Sequence, residues 1–305
     1  MKILCLHPWG TSGLIFEKQL GVLTGILDPS HEWVYINGGK DCGRARELPD
    51  FVPGPYYSWY EGLSSPECQE AHDIITETIA EEGPFDGVVG FSQGASLALS
   101  YLLHHAITSG PSSASPFRFA LFFCTNLVIS PDPKFNADKT IKYARYYTAA
   151  QPALPVSVPN LTTKSTDNTN SHSSDSESES PPAPSLSTTT TKTSKSAPKH
   201  RALLLLPSQK LALVNELVEL VSSMTHNLPS STAPAASWPT NPTPADFPRV
   251  YHPLTTKARV AIPTVHVIGE EDPLATHGEL AVRLCEKRGA RVEVVVTSTG
   301  YDLPE

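Results

Sequence analysis

The run GVVGFSQGAS holds a serine, Ser92, with glycines at positions 90 and 94 on either side. A serine hydroxyl attacks a carbonyl only when a base takes its proton and fixed donors receive the charge that develops on the carbonyl oxygen. The G-x-S-x-G spacing serves that chemistry when it bends a strand sharply into a helix. The serine then stands above the sheet on a strained turn, and the next residue offers its N–H from a helix N-terminus. Side chains two positions before and after the serine would collide with neighbouring backbone, so those positions are glycine. GVVGF supplies an apolar strand before Ser92, and GASLALSYLLHH supplies a helix after it. Ser92 is therefore the candidate nucleophile, and the Gln93 N–H is a candidate oxyanion donor.

A second donor is expected from the loop after the first strand, His7-Pro8-Trp9-Gly10. Pro8 has no N–H, so the donor falls to Trp9; His7 reads as a residue that shapes the loop. The candidate acid lies in IPTVHVIGEEDPLATHGELA. Asp272 is placed to orient an imidazolium, while Glu270 and Glu271 sit nearer the strand end and are expected in solvent. The segment VPGPYYSWYEG carries aromatics between Pro and Gly breakers. Tyr56, Tyr57 and Trp59 either line an apolar acyl site or pin a loop to the body.

These residues need a scaffold, and the rest of the chain reads as one. KILCL, EWVYING, FDGVVGF, FRFALFFC, TVHVIG and RVEVVV read as strands. GLIFEKQLGVLTGIL, with Ile15, Leu20, Leu23 and Leu27 inward, reads as one helix; ECQEAHDIITETIAEEG, closed by Gly83, and GELAVRLCEKRG are others. Strand and helix in turn imply an α/β fold, a mostly parallel sheet with helices on both faces and its ligand site at the carboxyl ends of the strands. Residues 156–200 are Ser, Thr, Pro and charge, with too little apolar surface to offset ordering, and are expected to be disordered. Residues 201–248 read as a cap inserted before the last two strands. It holds a helix over 208–226, N-capped by Ser208, with Leu211, Val214, Leu217, Val218 and Val221 on one face, and then a Pro-rich loop.

The net charge of −8 disfavours nucleic acid and anionic lipid as partners. The five cysteines are scattered and form no C-x-x-C, which fits a reducing compartment better than a disulfide framework or a zinc site. No apolar run approaches the length of a membrane span, and MKILCLHPWG is too short for a secretory signal. The expectation is a soluble cytoplasmic protein.

Four stretches in fixed order, ILCLHPWGTSGLIFEKQL, FDGVVGFSQGASLAL, IPTVHVIGEEDPL and the final GYDLP, resemble the fungal serine hydrolase family of the α/β-hydrolase superfamily. The resemblance covers roughly residues 1–130 and 258–304. It implies a single α/β-hydrolase domain over 1–305, an esterase or thioesterase without metal or organic cofactor, and a place in fungal secondary metabolism. The implied substrate is a small acyl or polyketide-type molecule, free or held on a carrier protein. By the same resemblance Ser92 matches the nucleophile and Asp272 the acid. The family's general base is a histidine in a G-G-H-x-[IV]-P-like stretch, and here Tyr301 stands in its place. A phenol near pKa 10 accepts a proton poorly at pH 7. Two readings stay open: a hydrolase with an incomplete triad or another base, His277 being nearest in sequence to the acid, or a degenerate hydrolase that binds a polyketide intermediate and assists a non-hydrolytic step.

Overall fold

A computed structural model describes residues 1–109, 113–138, positions 209, 212, 213, 215–217, 219 and 220, and residues 248–285 and 292–297. The sequence segments expected over 156–200 and 221–248, together with Tyr301, lie outside these residues, apart from residue 248 itself. The strands are β1 (Lys2–Leu6), β2 (Glu32–Ile36), β3 (Lys40–Asp41), β4 (Tyr57–Ser58), β5 (Gly87–Phe91), β6 (Phe119–Phe123), β7 (Thr264–Gly269) and β8 (Val292–Thr297). The helices are α1 (Gly13–Gln19), α2 (Gly21–Ile26), α3 (Ser65–Glu82), α4 (Gln93–Thr108) and α5 (Ala275–Arg283).

Six strands form one parallel sheet in the order β2-β1-β5-β6-β7-β8. β5 lies inside it, between β1 and β6, and all five of its residues are buried. An uninterrupted apolar run is what a strand covered on both faces requires. α4 packs on this central part with Leu97, Ala98, Leu99 and Leu103 wholly buried, and its small residues let helix and sheet approach closely. α3 lies on the same core through Cys68, Ala71 and Ile75. Ser64 caps it, and Gly83 ends it with an N–H bonded to Ile79 O at 3.0 Å. On the opposite face Phe16 and Leu20 pack with Ile3, Cys5, Val89 and Phe91.

Two expectations change. The single helix expected over GLIFEKQLGVLTGIL is two, broken at Leu20. Ser12 caps the first, its hydroxyl accepting the Ile15 N–H, and Leu27 faces solvent rather than the core. The short β3–β4 hairpin has no signal in the sequence beyond its breakers, since two-residue strands carry no periodicity.

The cap segment is helical at its described positions. Leu213 and Leu220 are buried, Glu216 and Leu217 half-buried, and 209, 212, 215 and 219 exposed, the spacing of one helical face. Of the face expected inward, Leu217 is half-buried, and Leu211, Val214, Val218 and Val221 lie outside the described residues. Partners on the body hold the described face. Glu216 pairs with the buried His252 (Nε2 to Oε2, 3.3 Å), and Leu220's carbonyl accepts from the His277 ring.

Candidate active site

β5 delivers Ser92 at the carboxyl edge of the sheet. Its backbone angles are φ 51° and ψ −112°, a left-handed conformation that costs a non-glycine residue about 1–3 kcal/mol. The turn is held from both sides. Ser92 N–H donates to Phe123 O on β6 (2.8 Å), and Ser92 O accepts from Ser96 N–H and Ser96 Oγ in α4. The glycines have the expected steric reason. A Cβ on Gly90 would lie 2.6 Å from the backbone of Ala95, and one on Gly94 would lie 2.1 Å from Leu6 O. Phe91 and Gln93 are buried while Ser92 is partly exposed, so the hydroxyl is presented and its neighbours are not. Gln93 opens the 16-residue α4, where the first N–H groups have no carbonyl a turn below them and the helix dipole favours negative charge.

The loop after β1 runs beside this turn, since the Gly94 position abuts Leu6 and His7 carbonyls. His7 is wholly buried, and both its ring nitrogens are engaged. Nε2 accepts Gly38 N–H at 2.9 Å, which leaves the proton on Nδ1 to be donated to Pro8 O at 2.8 Å. Burial pulls its pKa down to about 4, so the imidazole is neutral at ordinary pH. Thr11 Oγ1 donates to the same Pro8 carbonyl at 2.8 Å. Trp9 is half-buried against Ile15, Ala45 and Leu48, with Val52 and Tyr56 in the same cluster.

The three aromatics expected at the substrate separate. Tyr56 is half-buried beside Trp9, its hydroxyl on Val52 O at 2.6 Å. Tyr57 is half-buried in β4, with its backbone N–H on Thr11 O (2.6 Å) and its carbonyl on Gly10 N–H (3.0 Å). Trp59 is 1% exposed: its indole N–H reaches His7 O at 2.8 Å, and its ring stacks on the imidazole at 4.9 Å. A side chain so enclosed supports the loop and leaves no face for a ligand.

Asp272 follows β7 and is 5% exposed, whereas Glu270 and Glu271 face solvent. Its turn holds it: Oδ1 accepts Leu274 N–H (2.8 Å), its N–H donates to Gly269 O (3.2 Å), and its carbonyl accepts Ala275 N–H (2.9 Å). Between acid and serine lies Cys124, at φ 46°, which follows β6 and bonds Val267 O through its N–H. Burial, with the Asp272 carboxylate beside it, pushes this thiol up to about 12, so it stays protonated and is no competing nucleophile. β5 and β7 flank β6, which sets them about 10 Å apart at ordinary strand spacing. A group that links Ser92 to Asp272 must bridge that interval.

His277 does not supply that group. It is 3% exposed, its ring donates to the Leu220 carbonyl, and burial lowers its pKa to about 4. Sequence reasoning missed the positions that brace the site. Thr11 and Gly38 carry no signal alone, and His252 gains meaning only when Glu216, far along the chain, folds beside it.

The family model described as "Serine hydrolase (FSH1)" matches residues 1–171. Esterase alnB of Emericella nidulans is 32% identical over 305 residues, covering 99% of this chain and 90% of its own. Esterase FPY3 of Fusarium mangiferae is 41% identical over 132 residues, 42% of this chain and 58% of its own. Hydrolase FUB4 of Fusarium oxysporum f. sp. lycopersici is 35% identical over 124 residues, 40% of this chain and 46% of its own. With a parallel sheet that ends in a serine turn of this shape, the chain is an α/β-hydrolase and belongs to the FSH1 serine hydrolase family.

Proposed function

We propose that the protein is an esterase or thioesterase acting on an acyl or polyketide-type intermediate of fungal secondary metabolism, with Ser92 as nucleophile. The strained Ser92 turn between two glycines that admit no Cβ carries this reading. Ser92 Oγ attacks the carbonyl, and the oxyanion that forms is received by the Gln93 and Trp9 N–H groups. Collapse expels the alcohol or thiol, and water then releases the acyl group from Ser92. The Ser92 proton passes to the group at the family's base position, where Tyr301 stands, and Asp272 orients that group. Tyr56 and Tyr57 line the acyl site beside Trp9. The relatives named esterase support ester chemistry, and the pathway rests on the resemblance of the motifs. The five free thiols support a cytoplasmic location. Among the described residues no helix is long and apolar enough to cross a membrane.

The tyrosine at position 301 favours one rival reading, a binding protein that holds a polyketide intermediate without hydrolysing it. A fluorophosphonate probe separates the two. The enzyme becomes labelled at Ser92, located by peptide mass and lost in Ser92→Ala. Silence after long incubation at high probe concentration overturns Ser92 as nucleophile and favours the binder.

A further inference from the structure

We propose that the Gln93 side chain, acting through Trp59 and His7, sets the direction of the Trp9 N–H, so that one residue governs both oxyanion donors. The inference rests on the roles just given to Ser92, Gln93 and Trp9. Gln93, Trp59 and His7 are, on this view, positioning residues through their side chains.

The peptide joining Pro8 to Trp9 is trans, so its C=O and N–H point in opposite directions. Whatever fixes the Pro8 carbonyl therefore aims the Trp9 N–H. Two buried donors converge on that carbonyl, His7 Nδ1 and Thr11 Oγ1, each at 2.8 Å. His7 can donate there only while its proton is on Nδ1, and the Gly38 N–H on Nε2 enforces that tautomer. Proline at position 8 thus offers no donor but contributes the carbonyl by which the next donor is steered.

Trp59 holds His7 twice, by the stacked ring and by the Nε1 bond to the His7 carbonyl. Gln93 in turn holds Trp59. Its Oε1 accepts Trp59 N–H at 3.0 Å, and its Nε2 donates to Tyr60 O at 2.7 Å, so both ends of a buried amide span one peptide unit. Only an amide of this length can accept and donate there at once. The backbone of Gln93 presents one donor, and its side chain begins the chain of contacts that ends at the other.

The test is the second-order rate of Ser92 phosphonylation by a fluorophosphonate, measured beside the thermal midpoint. Trp59→Phe keeps a ring on His7 but removes the indole N–H. Gln93→Glu keeps an acceptor and removes the donor. Each should slow labelling about 10-fold, a part of the 10²–10³ lost when an oxyanion donor is removed outright. The double variant should slow it far less than 100-fold, because both changes act on one chain of contacts. Thr11→Val, which deletes the other bond to Pro8 O and the 3.3 Å contact of Thr11 Oγ1 with His7 Nδ1, should slow it several-fold. Ser64→Ala removes the α3 cap, lowers the midpoint and leaves the rate unchanged. Wild-type labelling rates in Trp59→Phe and Thr11→Val, or fully multiplicative effects in the double variant, overturn the inference. A wild-type chain that the probe never labels overturns the assignment of Ser92 instead, a separate outcome. If Gln93→Glu does not fold, Trp59→Phe and Thr11→Val decide alone.

Discussion

The serine side of the site and the acid side are built from different materials. Around Ser92 the closest constraints are backbone on backbone: a Cβ at Gly94 meets Leu6 O at 2.1 Å, and one at Gly90 meets the Ala95 main chain at 2.6 Å. The strand beneath is buried along its whole length. On the acid side α5 touches β7 through side-chain tips; a Cβ at Gly278 meets Ile268 Cγ1 at 3.1 Å. Beyond β7 the edge strand β8 leaves Val294, Val295 and Val296 half exposed (47%, 45% and 59%). Backbone contacts in a parallel sheet cannot relax without breaking register, whereas side-chain tips can turn aside. The Ser92 turn, with the proposed nucleophile and oxyanion donors, thus occupies the part of the fold that tolerates least change. The turn that carries Asp272, the proposed acid, adjoins a part that tolerates more.

The largest expected effect probes that contrast directly. If the serine side is intact and only the base is missing, Tyr301→His should raise ester hydrolysis by about 10²–10⁴-fold, the range a positioned general base contributes. Adding Ser92→Ala to that variant should remove the gain. p-Nitrophenyl esters of increasing chain length provide the assay. No gain would mean that the chain beyond β8 does not carry residue 301 to Ser92, and the division between the two sides would be drawn in the wrong place.

A smaller effect compares two glycines, one on each side. Gly94→Ala drives a methyl group into the Leu6 carbonyl oxygen at the carboxyl end of β1, and we expect a loss of about 3 kcal/mol in urea unfolding. Gly278→Ala lies in α5, where alanine is favoured over glycine by up to about 1 kcal/mol and crowding of Ile268 offsets part of the gain. It should change stability by less than about 1 kcal/mol in either direction. Equal losses at the two positions would remove the distinction between rigid and yielding sides.

The same distinction governs what the sequence discloses. The serine turn is legible because its requirements are local: two glycines, an apolar strand and a helix of small residues within ten positions or so. Asp272 is legible for a similar reason, following an apolar strand at a turn. Long-range pairings are not. Trp59 reads equally as a pocket aromatic or a loop anchor, because nothing near it in sequence discloses that His7 and Gln93 enclose it. The partners of the helix around Glu216 are hidden likewise, because His252 and His277 lie beyond a long stretch of low-complexity sequence. The break at Leu20 escapes for the reason that helix propensity carries no penalty there.

The smallest effect compares histidines on the two sides. His7 and His277 are both buried, and burial lowers both to about 4; His72 and His266 are lowered in the same way, to about 3 and about 4. In the unfolded chain these imidazoles titrate near 6.5. Between pH 6.5 and about 4 the unfolded state therefore binds more protons than the folded one, and stability rises with pH. The contribution is complete above pH 6.5 and is lost as the pH falls towards 4. Urea midpoints at pH 7.5, 6 and 5 should fall in that order. His277→Asn should reduce the slope by at most one proton, about 1.4 kcal/mol per pH unit, and leave the rate of Ser92 labelling where it was. His7→Asn should reduce the slope similarly and slow labelling as well, because His7 also steers the Trp9 N–H. An unchanged slope in His277→Asn would mean that its imidazole titrates in solvent, and the cap helix does not rest on it.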